Sequence, residues 1–161
     1  MVSDVYRKEV DLMIKNQELT LVEVGLDMYE ELISLWRESH LSFHEGFRDT
    51  REEIKRQIES GCVKIFGVKN GDKLIGSVLC SDDARRGWIN HIAVIPEFRK
   101  QGVAVKLIEA SEKHFAQKGL KIIAALVEDH NESSWRLFEK TGYTQDFPGL
   151  RYYTKREDRN V

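Results

Sequence analysis

Two hydrophobic periods alternate along this chain, and the points where one gives way to the other mark its elements. Residues 18–24, Glu-Leu-Thr-Leu-Val-Glu-Val, alternate with period two and predict a first strand. Tyr29, Leu32, Ile33 and Trp36 then recur at helical spacing, and Asp27 with Glu30 three residues on reads as the capping box that opens this helix. Thr50 and Glu53 form a second box, opening a helix with Ile54 and Ile58 that stops at Gly61. Residues 63–68 and 74–80 are two apolar runs around Lys69-Asn-Gly-Asp72, a strong hairpin signal. A polar turn over 81–87 leads into a strand over 88–95. The next helix runs to Gln117 with Ala104, Leu107, Ile108, Ser111 and Phe115 on one face, and Lys118-Gly119 stops it. The nearly all-apolar stretch 120–127 predicts a strand covered on both faces. Asn131 caps a last helix, 132–140, which ends at Gly142; Tyr143 and residues 150–155 supply one or two closing strands across Pro148-Gly149.

The order β-α-α-β-β-β-α-β-α-β predicts a single α/β (α+β) domain, one mixed sheet of six to seven strands flanked by about four helices. The domain spans 18–155, with 1–17 as an N-terminal appendage and 156–161 as a tail. Hydrophobic residues at 41% and charged residues at 32% describe a globular rather than a disordered chain. A formal net charge of −2 gives no broad footprint for nucleic acid or for an anionic membrane. No apolar run approaches the ~18 residues of a membrane-spanning helix, and Met1-Val-Ser-Asp has no signal-peptide character. Cys62 and Cys80 fall inside predicted strands without metal-ligand spacing, which reads as two buried thiols in a reducing compartment and no metal site. The expected location is the cytoplasm.

The chemistry concentrates between Trp88 and Gly119. The strand Trp88-Ile-Asn-His-Ile-Ala-Val-Ile95 delivers the chain into Pro96-Glu-Phe-Arg-Lys-Gln-Gly-Val-Ala104 and a helix start. The first four N–H groups of a helix have no partner within it, and the helix dipole adds positive potential there, so this end suits an anion, phosphate above all. Arg99-Lys-Gln-Gly102-Val-Ala104 has the form Arg/Gln-x-x-Gly-x-Gly/Ala: Gly102 allows a sharp turn close to a bound group, Ala104 keeps the helix start uncrowded, and Arg99 and Lys100 add charge. No Lys-Ser/Thr follows as in a Walker loop, and the three glycines of a dinucleotide fingerprint are absent. Taken alone, the turn is equally an ordinary strand-to-helix connection.

Two blocks together are more specific. Ile92-Ala-Val-Ile-Pro-Glu-Phe-Arg-Lys-Gln-Gly-Val-Ala104 and Asn131-Glu-Ser-Ser-Trp-Arg-Leu-Phe-Glu-Lys-Thr-Gly-Tyr143 resemble the GNAT superfamily of acetyl-CoA-dependent N-acetyltransferases. The second block is similar to that family's Asn-x-x-Ala-x-x-Leu-Tyr-Glu-Lys-x-Gly-Phe. The resemblance covers about 18–155 and is nearest to small members of the ribosomal-protein-alanine-acetyltransferase kind. It implies the acyl-CoA N-acyltransferase fold, with the central strand and the 120–127 strand splayed apart around the cofactor. It also implies that the backbone of Ile92, Ala93 and Val94 pairs with the pantetheine arm of acetyl-CoA, and that Arg99, Lys100, Gln101, Gly102, Val103 and Ala104 wrap the pyrophosphate. Asn131, with Ser134 and Phe138 of the same helix, lies along the cofactor. The implied reaction is direct attack of an amine of a small molecule or peptide on the thioester; a homodimer, with residues 1–17 at its contact, is a further expectation.

One departure stands at a catalytic position. Phe138 occupies the place where the family usually has a tyrosine to protonate the leaving thiolate, so the acid is another residue (Tyr143, Tyr152 or Tyr153), or none is needed, or the chain binds acyl-CoA as a non-catalytic sensing domain. For the base, the central strand offers Asn90 and His91, of which strand alternation lets only one face the slot. His91 has the pKa range of a base, whereas Asn90 can only orient a water or a carbonyl. Glu128, Asp129 and His130 are alternatives that read equally as solvated loop. The resemblance also implies an acceptor site under the segment His40 to Asp49, between the first two helices. There His40, Phe43, His44, Glu45 and Phe47 are the candidates to sort substrates and otherwise read as solvated loop, while His114 reads as surface.

Overall fold

The computed structural model describes residues 19–145. Within them the sheet has five strands in the order β1 to β5: Leu19–Glu23, Val63–Asn70, Lys73–Asp82, Gly87–Val94 and Ile123–Ala125. The first four are antiparallel neighbours, and β5 lies parallel to β4. Four α-helices accompany them: α1 (Tyr29–Glu38), α2 (Arg51–Glu59), α3 (Val103–Gln117) and α4 (Glu132–Lys140). The mixed sheet, the helix count and the element order follow the sequence pattern. The strand count is five rather than six or seven among the described residues. Tyr143 is not in a strand, and the expected strand over 150–155 lies outside those residues, as do the appendage 1–17 and the tail.

β3 is buried on both faces along most of its length, as the centre of a two-sided sheet must be. One face receives α3. There an added Cβ on Gly76 would stand 2.7 Å from Val103 Cγ1 and one on Gly87 would stand 2.5 Å from Phe115 Cγ, so both glycines allow the helix to lie close. The other face receives α1 and α2; the fully buried Trp36 of α1 donates its Nε1–H to Ser77 Oγ at 3.0 Å, which satisfies the indole.

Local chemistry corrects several expectations. Asp27 does not cap α1. A 3₁₀ turn, Leu26–Met28, precedes the helix, and Met28 stands at its N-cap without a side-chain bond. Thr50 does cap α2, accepting from the Glu53 N–H at 3.2 Å, but Glu53 turns its carboxylate to Arg56 instead of closing the box. The hairpin turns on Gly71-Asp72, one residue later than Asn-Gly, with Gly71 in the left-handed region at φ +57°. β5 is three residues long, and its flanks Ile122 and Leu126 are exposed, so the apolar run is not covered on both faces. Cys62 is exposed just ahead of β2, and only Cys80 is buried. His114 is not surface: half-buried, it packs edge-on to Phe66, ring centres 5.7 Å apart.

The feature that positions the site is a bulge in β4. Ser77 opposes Ala93 and Leu79 opposes Asn90, so the single residue Val78 faces both His91 and Ile92. His91 absorbs the extra residue at φ +48°. β4 and β5 pair only at Gly87–Ile123, Trp88–Ala124 and Ile89–Ala125, and beyond Ile89 the two strands part.

Candidate active site

Strand alternation would send Asn90 and His91 to opposite faces, but the bulge cancels it. Both line one cleft of about 170 Å³ on the α1–α2 side, with Leu79 of β3, Gln57 of α2, and Arg48 and Asp49 from the segment before α2. The expectation that only one of the two could face the site is therefore overturned. Asn90 donates from Nδ2 to Ser81 Oγ at 3.0 Å and to the Trp88 carbonyl at 3.3 Å. A carbonyl can only accept, so the amide orientation is fixed and its Oδ1 remains as an acceptor. His91 stacks on Trp36 with ring centres 5.2 Å apart, and Trp36 in turn meets Phe43 edge-on at 5.5 Å. Burial pushes the imidazole pKa below its ordinary value of 6.5; Asp49 pulls the other way, while Arg48 and His44 reinforce the fall. Its Nδ1 is buried without a hydrogen-bond partner.

Arg48 and Asp49 lie within the expected acceptor segment, 40–49, but are not singled out in it by the sequence, and Gln57 is missed altogether. Asp49 is 3% exposed; its Oδ2 accepts from the His44 N–H at 2.7 Å, and its main-chain carbonyl accepts from Tyr29 Oη–H at 2.9 Å. Nothing in the polar run before α2 distinguishes it except its place immediately ahead of the Thr50 cap. Among the residues the sequence did nominate here, Glu45 pairs with Arg37 at 2.6 Å in solvent, Phe43 packs on Trp36, and His40, His44 and Phe47 do not line the cleft.

Tyr143 is not brought to this cleft. Its hydroxyl donates to Glu112 Oε1 of α3 at 3.1 Å, and its ring meets Phe138 edge-on at 5.1 Å. Desolvation, with the Glu112 carboxylate second, pushes the phenol pKa far up. It belongs to the α3 side, where Cys80, with a pKa raised by burial to about 11, donates to Ser111 Oγ at 3.1 Å. Glu128 and His130 form an exposed pair at 3.4 Å.

On the donor side, α3 starts at Gly102, φ +83°, with no side-chain cap, and Lys100 two residues earlier is also left-handed at φ +59°. The first N–H groups of α3 are thus left for a ligand, the arrangement that suits a phosphate. The side chain of Val103 is buried in the core, and that of Ala104 is half-buried. Gln101 donates to the Glu97 carbonyl at 2.6 Å. Arg99 departs from expectation: its Nε donates to the Val94 carbonyl at 3.0 Å and its Nη2 to the Ser39 carbonyl at 2.8 Å, so the guanidinium binds backbone rather than extending from the turn. Along β4, residues 90–94 (including Ile92, Ala93 and Val94) have no strand partner on the β5 side among the described residues. Asn131 caps α4, its Oδ1 accepting from the Ser134 N–H at 3.2 Å. An unpaired strand edge ending at an uncapped helix start fits a ligand with a chain of amides and a pyrophosphate. Among the described residues no His/Cys/Asp/Glu group has the geometry of a metal site, and no helix is long and apolar enough to cross a membrane.

Comparison with known proteins agrees with this geometry. The model of the Acetyltransferase (GNAT) family matches residues 27–143. The chain is 32% identical over 98 residues to N-alpha-acetyltransferase 30 of Schizosaccharomyces pombe, a match spanning 58% of this chain and 65% of that protein. It is 29% identical over 119 residues to an acetyltransferase of Yersinia enterocolitica, covering 73% of this chain and 83% of that one. Among solved structures, AAC(6')-Iy in complex with a bisubstrate analogue shares the fold, with a TM-score of 0.75 at 20% identity over 86% of this chain and 99% of that one. The chain belongs to the GNAT family of acetyltransferases. It is an N-acetyltransferase, and acetyl-CoA is its acetyl donor.

Proposed function

We propose that this chain acetylates a primary amine of a small molecule or peptide, with Asn90 and His91 at the acceptor end. The observation that carries the reading is the β4 bulge, which gathers two adjacent polar side chains into one cleft where β4 and β5 part. Bound acetyl-CoA supplies a thioester carbonyl open to attack. The backbone of Ile92, Ala93 and Val94 would hold its pantetheine arm, and the N–H groups of residues 101–104 its pyrophosphate, with Lys100 alongside. Asn131, whose oxygen is committed to the cap, keeps its amide nitrogen for the cofactor, and Ser134 and Phe138 complete that wall.

The amine must lose its proton before or during attack. His91, kept neutral by burial, accepts it, and Asn90 Oδ1 orients the N–H bonds. Phe138 has no proton to give and the Tyr143 hydroxyl is engaged by Glu112, while Tyr152 and Tyr153 lie outside the described residues. This reading takes the course without a dedicated acid, in which coenzyme A leaves as the thiolate. A thiol pKa of about 8.5 keeps that step inexpensive. The catalytic unit is 18–155 and its setting the cytoplasm; a homodimer is the assembly this reading carries.

Calorimetric titration with acetyl-CoA, NAD and ATP in separate runs tests the donor, and release of free thiol across alkylamines, amino sugars and peptide α-amines tests turnover. Binding of acetyl-CoA alone, followed by thiol release, is expected. Binding without release for any amine would favour an acyl-CoA sensor, and absence of binding would overturn the donor assignment.

A further inference from the structure

Resting on that reading of the cleft, we infer that Asp49 is the anchor of the acceptor nitrogen, and that it selects alkylamines that arrive as ammonium ions over weakly basic arylamines. Asp49 is 3% exposed and lines the cleft together with Asn90 and His91. Its Oδ2 accepts one hydrogen bond, from the His44 N–H at 2.7 Å. No ion pair joins it to a cation among the described residues, since the acidic partners there are other groups. A carboxylate that accepts a single hydrogen bond keeps acceptor positions for the N–H groups of a bound cation. Arg48 lines the same cleft but is exposed, where solvent screens its charge.

The cleft's remaining polar lining fits the same ligand. Both amide hydrogens of Asn90 are engaged, so it offers the cleft only an acceptor oxygen. His91 is uncharged near neutral pH, because burial lowers its pKa, and it does not neutralise Asp49. A carboxylate, a carbonyl oxygen and a neutral imidazole side by side form a receptor for N–H donors. Near neutral pH an alkylamine is protonated, as a lysine is. It docks on Asp49 and Asn90 as ammonium and passes one proton to His91 as the nitrogen lone pair attacks the thioester carbonyl. The C–S bond then breaks, coenzyme A leaves as the thiolate, the nitrogen releases its second proton to solvent, and Asp49 faces the imidazolium it helps to stabilise.

Asp49→Asn is a discriminating variant, because an asparagine Oδ1 still accepts from the His44 N–H and preserves the turn while removing the charge. With n-butylamine as acceptor, KM is expected to rise roughly ten- to a hundred-fold, the range for loss of a hydrogen bond to a charged group. The KM for aniline and the affinity for acetyl-CoA are expected to stay unchanged. A second readout needs no acetyl-CoA. Titrating ¹⁵N-labelled wild-type protein with n-butylammonium chloride is expected to shift the residue 49 amide and the His91 ring signals saturably, and Asp49→Asn is expected to lose that response. An unchanged KM for n-butylamine, an equal loss for both acceptors, or a wild-type spectrum blind to n-butylammonium would each overturn the anchor. Failure of the donor reading would appear separately, as absent acetyl-CoA heat with the Asp49-dependent shifts intact.

Discussion

His91 sits in a left-handed backbone conformation, stacked on an indole, with one ring nitrogen buried and unpartnered. Burial opposes the protonated ring, and the sign carries through to stability. The folded-state pKa lies below the ordinary 6.5, so between the two values the unfolded chain binds more protons than the folded one. The contribution is present above 6.5 and is lost as pH falls through the folded pKa. His91→Asn suits the positive φ, which asparagine tolerates. It is expected to flatten the fall of the denaturant midpoint on acidification below 6.5 without abolishing it, because burial lowers the half-buried His114 in the same direction. In kinetics, the acidic limb of kcat/KM should lie below 6.5 in the wild type and vanish in the variant, with activity reduced by roughly 10²-fold or more. A limb that persists would assign the base elsewhere.

At the scale of elements, the donor end is a strand edge and a helix start, and the helix start depends on glycine. Gly102 at φ +83° leaves the start of α3 without a side-chain cap. In Gly102→Asp, a residue that both caps helices and tolerates the left-handed region places its carboxylate on the same N–H groups a pyrophosphate needs. The melting temperature should hold and acetyl-CoA binding should be lost by calorimetry; retained affinity would refute the turn assignment. Gly87→Ala acts on packing instead: the new Cβ would stand 2.5–2.6 Å from ring carbons of the fully buried Phe115. Overpacking of that kind costs about 1–3 kcal/mol, to be read from denaturant midpoints. The strand–turn–helix order was legible because the period changes at Pro96 and glycine marks the turn. The bulge was not, since a period-two pattern is read on the assumption that no residue is inserted, and only pairing with β3 reveals that Val78 faces two partners. The length of β5 was equally hidden: an apolar run states what tends to be buried, not how far a neighbouring strand stays within hydrogen-bonding distance.

Across the whole molecule, β4 carries residues of both the donor and the acceptor site, and one side chain links the cofactor turn to the acceptor wall opposite. Arg99 stands at the head of the turn into α3, yet it donates to the Val94 carbonyl at the end of β4 and to the Ser39 carbonyl at the end of α1. From Ser39 the chain runs through the segment that ends in Asp49, so Arg99 ties the cofactor turn to the root of the acceptor wall. A positive residue before a glycine turn invites a phosphate assignment from sequence; one of its actual partners, the Ser39 carbonyl, lies 60 residues away along the chain. Arg99→Gln should therefore act mainly on the acceptor. Glutamine is too short to span both carbonyls, so the 40–49 segment loses its fixed root, and the KM for the amine should rise by roughly ten-fold, as for a lost charge-assisted hydrogen bond. The affinity for acetyl-CoA should change little, and its salt dependence should stay that of the wild type, because no phosphate charge partner has been removed. Hydrogen exchange supplies the readout independent of turnover: amides in 40–49 should exchange faster in the variant, while those of α3 remain protected. The opposite pattern, a large loss of acetyl-CoA affinity with a flattened salt dependence and no change in 40–49, would make Arg99 a phosphate ligand after all and leave the two sites without this link.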